Sequence, residues 1–235
     1  MQDGNERENE REKIKVDGNE LYAIGNIQLL QNTSPYTRVA IVGSRDSSVE
    51  GDKVASMIAE MLVNRGYTVV TGLARGIDTA VALKVLSCRG NLIGVVPWIT
   101  HSSVPKFYSC NDNDNNICIV SPFYHYIEGP SISIKYYLRN RIIYKLSSKI
   151  ILIEARDNGR SGTMHYLELI SADRRRGLTT NNKEIYIWKP IRDEEEYIRA
   201  YNTYVSKGAI PFASVSDIHS HIPYIDDGSS LQSLR

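Results

Sequence analysis

The sequence predicts an α/β fold with a mostly parallel sheet, and three observations carry that reading. Short apolar runs such as Arg38-Val-Ala-Ile-Val-Gly43 and Lys149-Ile-Ile-Leu-Ile-Glu154 lack polar alternation, as strands buried on both faces do. Segments of helical spacing separate them, and strands that alternate with helices pair in parallel. Glycines stand just beyond the strands, at Gly43, Gly72, Gly159 and Gly162, where the chain turns from strand to helix.

Taken in order, residues 38–43 form the first core strand. Ser47 or Ser48 is placed to cap the next helix, which carries Val54, Ile58, Met61 and Leu62 at helical spacing and ends at Gly66. Tyr67-Thr-Val-Val-Thr71 completes a βαβ unit, and Leu92-Ile-Gly-Val-Val96 is the third strand. The stretch 101–116 is polar and reads as a loop, with an Asn/Asp run at its end. Ile117 to Val120 is a short strand, 132–146 a helix, 149–154 a strand, and 161–175 a helix. A strand over 184–188 and a helix over 194–205 close the core. Residues 1–20 are charged and aperiodic and are expected to be flexible. The core then runs over 21–222, and 223–235 is a polar tail.

Composition excludes several classes. Hydrophobic residues make up 42% and charged residues 23%, as in ordinary globular proteins. The net charge of +1 points to no partner, so an anion-binding surface has to come from local clustering. Three cysteines without a C-x-x-C pair argue against a disulfide framework and against zinc, and favour a reducing, cytoplasmic setting. The polar N-terminus has no signal-peptide core, and no apolar run reaches the length of a membrane span. No metal and no cofactor is expected.

Ligands of open parallel sheets bind outside the carboxyl ends of the strands. Three informative turns lie there: Gly43-Ser44-Arg45, Gly72-Leu-Ala-Arg75-Gly76-Ile-Asp78, and Glu154 followed by Gly159-Arg-Ser161-Gly162-Thr163. Glycine lets a backbone approach a phosphate, a helix N-terminus offers free N–H groups, and arginine adds a planar fork. Taken singly, each glycine serves turn geometry; together the three turns make a composite anion site. Neither G-x-G-x-x-G nor G-x-x-x-x-G-K-[ST] is present, which weighs against ordinary dinucleotide and triphosphate sites. Lys135-Tyr-Tyr-Leu-Arg139-Asn140-Arg141 interleaves basic and aromatic side chains, a pattern suited to single strands. Its apolar stripe, Leu138, Ile142 and Leu146, faces the core, and its arginines are read as pointing elsewhere. Asp78 and Glu154 brace the pocket, and no residue is assigned a catalytic role. The runs Arg174 to Arg176 and Glu194 to Glu196 read as solvated faces.

These segments resemble the DprA/Smf family. The resemblance rests on Val39-Ala-Ile-Val-Gly-Ser-Arg45, Gly72-Leu-Ala-Arg-Gly-Ile-Asp78, Arg139-Asn-Arg-Ile-Ile143, Glu154-Ala155 and Ser161-Gly-Thr163, and it runs from about Leu21 to about Ile222. It implies an extended Rossmann-like, three-layer fold. It further implies a protein that binds single-stranded DNA in a basic pocket, hands it to a RecA-type recombinase, serves DNA processing and transformation, and works as a homodimer without catalysis. By the same resemblance, Gly43, Ser44 and Arg45 line the pocket floor, and Gly72, Arg75 and Gly76 form a second wall. Lys135, Arg139, Asn140 and Arg141 are candidate strand contacts, with Arg139 and Arg141 reaching the DNA backbone. Ser161, Gly162 and Thr163 present a helix N-terminus to a phosphate. Where the family usually has His after its second motif, this chain has Ala82. The alternatives are a nucleotide sensor and a LOG-like nucleotide phosphoribohydrolase. For the latter, Gly162-Thr163 with Glu168 is an incomplete match.

Overall fold

Strands with no polar face must be covered on both sides, and the strand residues divide accordingly. The computed structural model describes residues 12–16, 18–108, 116–128, 131–159, 161–176 and 183–225. Its strands are β1 (Glu12–Val16), β2 (Asn19–Gly25), β3 (Arg38–Gly43), β4 (Thr68–Thr71), β5 (Leu92–Val95), β6 (Ile117–Ser121), β7 (Lys149–Ile153), β8 (Glu184–Trp188) and β9 (Ile210–Phe212). They form one nine-stranded sheet in the order β1-β2-β6-β5-β4-β3-β7-β8-β9. From β6 to β9 every pairing is parallel, while β1 pairs β2 and β2 pairs β6 antiparallel.

Between the strands run α1 (Gln28–Gln31), α2 (Val49–Asn64), α3 (Ile77–Ser87), α4 (Val104–Phe107), α5 (Ile132–Leu146), α6 (His165–Arg175), α7 (Glu195–Ser206) and α8 (Val215–His219). Val39, Ile41, Val69 and Ile151 join Ile58 and Leu62 of α2, Ile77 and Val81 of α3, and Ile218 of α8 in one core. Their strand neighbours Ala40, Val42, Val70 and Leu152 face the other way, against Ile143 of α5, Leu169 of α6 and Tyr204 of α7. Alternation along each strand thus builds two cores and three layers, the α/β arrangement that the sequence predicts. Ser48 caps α2, its hydroxyl accepting from Gly51 N at 2.9 Å.

The ends of the core differ from the sequence reading. Part of the segment expected to be flexible is a strand: β1 pairs with β2 from Glu12↔Ala23 to Val16↔Asn19. Ile14 and Val16 are buried while Lys13 and Lys15 are exposed, a two-residue period hidden in a charged stretch. Residues 1–11 lie outside the described ones. The 101–116 stretch contains α4, whose Val104 and Phe107 join the core; the Asn/Asp run over 111–115 lies outside the described residues. At the other end Ile225 N donates to Arg65 O at 3.0 Å, so the core extends past Ile222. The rest of the expected tail, 226–235, lies outside the described residues.

One feature of the topology positions a site. From β3 the chain builds β4, β5 and β6 outward on one side, then returns to lay β7 against the other side of β3. The carboxyl ends of β3 and β7 therefore flank the point where the winding direction reverses, the usual place for a crevice in such sheets.

Candidate functional site

Two of the three turns are clamped together, backbone on backbone. A Cβ on Gly43 would overlap Ile153 O and the Ile77 side chain, and Ser44 N donates to Ile153 O at 3.3 Å. Ile77 N donates to Ser44 O at 3.1 Å. Gly76 has φ +75° and no room for a Cβ, which would overlap Ser44 O and lie within 2.9 Å of the Arg45 carbonyl. The close approach and the glycine-only backbone fix the Gly43–Arg45 turn against the Gly72–Gly76 turn. Arg45 and Arg75 stand exposed on this platform.

Beneath it lies a buried polar floor. Lys135 and Arg139, one helical turn apart on α5, are 0% and 5% exposed. Arg139 Nη1 lies 3.8 Å from Asp78 Oδ2, and the same carboxylate oxygen accepts from Ala74 N at 3.4 Å. Gly72 sits directly on the Arg139 guanidinium, where any Cβ would overlap it. Burial raises the Asp78 carboxyl above the usual carboxylate range, against the opposing pull of Arg139 and the backbone N–H groups. Tyr136, half-buried, carries the Arg45 guanidinium at 4.4 Å from its ring centroid and that of Arg139 at 5.8 Å.

This corrects the sequence reading of α5. Arg139 does not reach outward as a backbone contact, and Lys135 is not on an open face. Both lie on the inner face because the helical repeat puts residues four apart on one side. Arg141, two residues on, falls on the opposite side of the helix and is exposed. Lys135, Arg139 and Arg141 are therefore not one track.

The third turn is self-satisfied. Asn140 is buried, and its Nδ2 donates to Gly162 O at 3.0 Å and lies 3.0 Å from His165 Nδ1. Ser161 Oγ accepts from Thr163 N at 3.4 Å, and Thr163 Oγ1 accepts from Arg156 N at 3.1 Å. Glu154, with φ +51°, accepts from Ser48 N at 2.9 Å and from the Ser48 hydroxyl. Its carboxylate also packs on Gly51, in the first turn of α2. The chain's own anion thus occupies the helix N-terminus that would hold a nucleotide phosphate at this edge. Glu168, which the phosphoribohydrolase alternative needs, is exposed on α6. Among the described residues no group of three His, Cys, Asp or Glu is placed to hold a metal.

Sequence reasoning missed an aromatic wall. Tyr126 lies edge-on to Trp98 at 5.1 Å, and Trp98 edge-on to His101 at 4.8 Å. Tyr124 packs on Tyr22 at 5.5 Å and on His125 at 4.3 Å. The signal was the run Phe123-Tyr-His-Tyr126 just past the carboxyl end of β6, the edge where ligands gather.

Burial lowers the pKa of His165, with Glu168 opposing and Arg139 adding to the shift; burial lowers that of His101 too, reinforced by Arg139 and Arg45. In this case the unfolded chain binds more protons than the fold once pH drops below about 6.5. The stability tied to the neutral imidazoles is present above that value and is lost as pH falls through the depressed folded values. The urea midpoint should therefore be lower at about pH 5.5 than at about pH 7.5, and His165→Gln should shrink that difference.

The family model for DNA recombination-mediator protein A matches residues 8–223. The chain belongs to that family. The DNA processing protein DprA of Streptococcus pneumoniae is 34% identical over 145 residues, which cover 61% of this chain and 49% of that protein. The chain thus matches about half the length of that relative. The X-ray structure of pneumococcal DprA superposes with a TM-score of 0.63 at 24% identity, covering 88% of this chain and 67% of that one. DprA of Helicobacter pylori, whose structure is described for its single-stranded DNA binding mode, gives 0.62 at 22% identity, covering 85% and 84%. The resemblance and the Rossmann-like, three-layer fold that it implies are both borne out. Among the described residues no helix is long and apolar enough to cross a membrane.

Proposed function

We propose that this chain binds single-stranded DNA across the carboxyl edge of its sheet, without chemistry, and serves as a recombination mediator. The observation that carries the reading is Arg45, an exposed cation stacked 4.4 Å over the Tyr136 ring on glycine-clamped turns, with Arg75 exposed on the adjoining turn. Exposed cations at the same sheet edge as the half-buried Trp98 and the exposed Tyr126 suit a phosphate backbone with unstacked bases. A mononucleotide reading is less well supported, because Glu154 fills the α2 N-terminus. The described cavity between α6, α7 and the starts of β8 and β9 is at the opposite end of the strands. Action as a homodimer and handover to a RecA-type recombinase belong to the same reading and rest on family membership.

Fluorescence anisotropy of a labelled oligonucleotide tests it. Single strands should bind more tightly than duplex, and affinity should fall as salt rises from about 50 to about 200 mM. Arg45→Ala should weaken binding and reduce the salt slope by about 0.7, the share of one single-strand phosphate contact. No binding at low salt, or competition by a mononucleotide as effective as by the oligonucleotide, would overturn the proposal.

A further inference from the structure

The geometry points to Lys135 as a phosphate ligand that Tyr126 keeps covered until a strand arrives; the inference rests on the strand-binding reading above. The Lys135 side chain is 0% exposed, and among the described residues its Nζ has no hydrogen-bond partner. The face of the Tyr126 ring, whose centroid is 3.7 Å away, lies against it. An ammonium carries three donors and is strongly hydrated in water, so a ring face alone is a poor exchange. One turn further on, Arg139 is also buried, and its Nε likewise lacks a partner among the described residues. The carboxylate paired with this floor is Asp78, 3.8 Å from Arg139. Among the described residues, two buried cations against one carboxylate leave positive charge uncompensated, a state that a fold maintains at a cost in stability. A phosphate oxygen supplies both the missing charge and the missing acceptor.

The cover is placed to move. Tyr126 is 52% exposed although it lies on a buried ammonium. Its loop is tied by backbone bonds at Phe123 and Tyr124, whose carbonyls accept from Ile99 N at 2.9 Å and Thr100 N at 3.2 Å. Both ties precede Tyr126. Rotation of this ring opens Lys135 to the platform and frees the same ring to stack on a base. Trp98, edge-on to Tyr126 at 5.1 Å, then loses its neighbour, so its fluorescence reports the opening.

Lys135→Met separates this role from simple packing. A lysine kept for a ligand is a liability in the free protein, so the variant should keep or raise the urea midpoint while binding the oligonucleotide roughly tenfold more weakly. Unchanged oligonucleotide affinity, or a lowered midpoint, would overturn the inference. The second measurement uses Trp188→Phe, which leaves Trp98 as the reporter in a chain with two tryptophans. Its emission should change on adding oligonucleotide, and the change should be lost when Lys135→Met is added. If wild-type protein binds no oligonucleotide, the strand reading fails separately. Titration of Trp188→Phe with inorganic pyrophosphate then decides: a change in emission upholds a covered anion site, and none overturns it.

Discussion

Gly76→Ala is expected to cost about 2–6 kcal/mol of stability and to abolish strand binding. Gly76 has φ +75° and ψ −134°, a backbone region that side chains other than glycine's all but exclude, at about 1–3 kcal/mol. Its Cβ would also overlap Ser44 O and crowd the Arg45 carbonyl, and backbone in a packed turn yields only at a further cost of about 1–3 kcal/mol. Relief comes by parting the two turns that carry Arg45 and Arg75, so the platform is lost together with the stability. Gly159→Ala is the control. It shares a positive φ, +70°, but among the described residues nothing lies within 4 Å of its added Cβ, so only the conformational cost remains. Urea unfolding of both variants checks this, and equal losses would contradict the clamp.

Arg139→Ala is the second large effect, expected to cost about 3–5 kcal/mol, the range for breaking a buried charge pair. The guanidinium is nearly inaccessible, pairs with Asp78, and fills the space under Gly72. Its loss strands a carboxyl that burial already drives toward the neutral form, so the deficit should grow as pH rises and ionisation is forced. Asp78→Asn added to Arg139→Ala should cost less than Asp78→Asn alone, because the partner is already gone. Strictly additive losses would mean that the pair is not coupled.

The fold was legible because its signal is periodic and strong. β3 and β7 are uninterrupted apolar runs, and α5 has the bounds, 132–146, that the sequence indicates. The edges were harder to read. β1 is five residues long inside a charged stretch, and only Ile14 and Val16 betray its inward face. At the site, the three turns could be named from glycines and their neighbours, because close backbone approach demands glycine. The side-chain floor could not be read so directly. Basic residues in Lys135 to Arg141 suggested an outward track, yet four-residue spacing turns two of them inward, where Arg139 meets Asp78, which lies more than 50 positions earlier. Glu154 shows the same limit, since its partner Ser48 is separated from it by 106 positions. The aromatic wall was written in the sequence as Phe123 to Tyr126, but its approach to Trp98 depends on the pairing of β5 with β6.

The central claim is that a single strand lies on the carboxyl edge of the sheet, over the clamped turns. Zero-length ultraviolet cross-linking of an oligonucleotide to the protein, with the adducts located by peptide mass spectrometry, tests it most directly. Adducts are expected on Trp98, on the segment 124–126 and on Tyr136, and they should disappear as salt strips the strand from its phosphate contacts. Adducts concentrated instead on the outer faces of α6 and α7, or around Tyr224, with none at these positions, would contradict it.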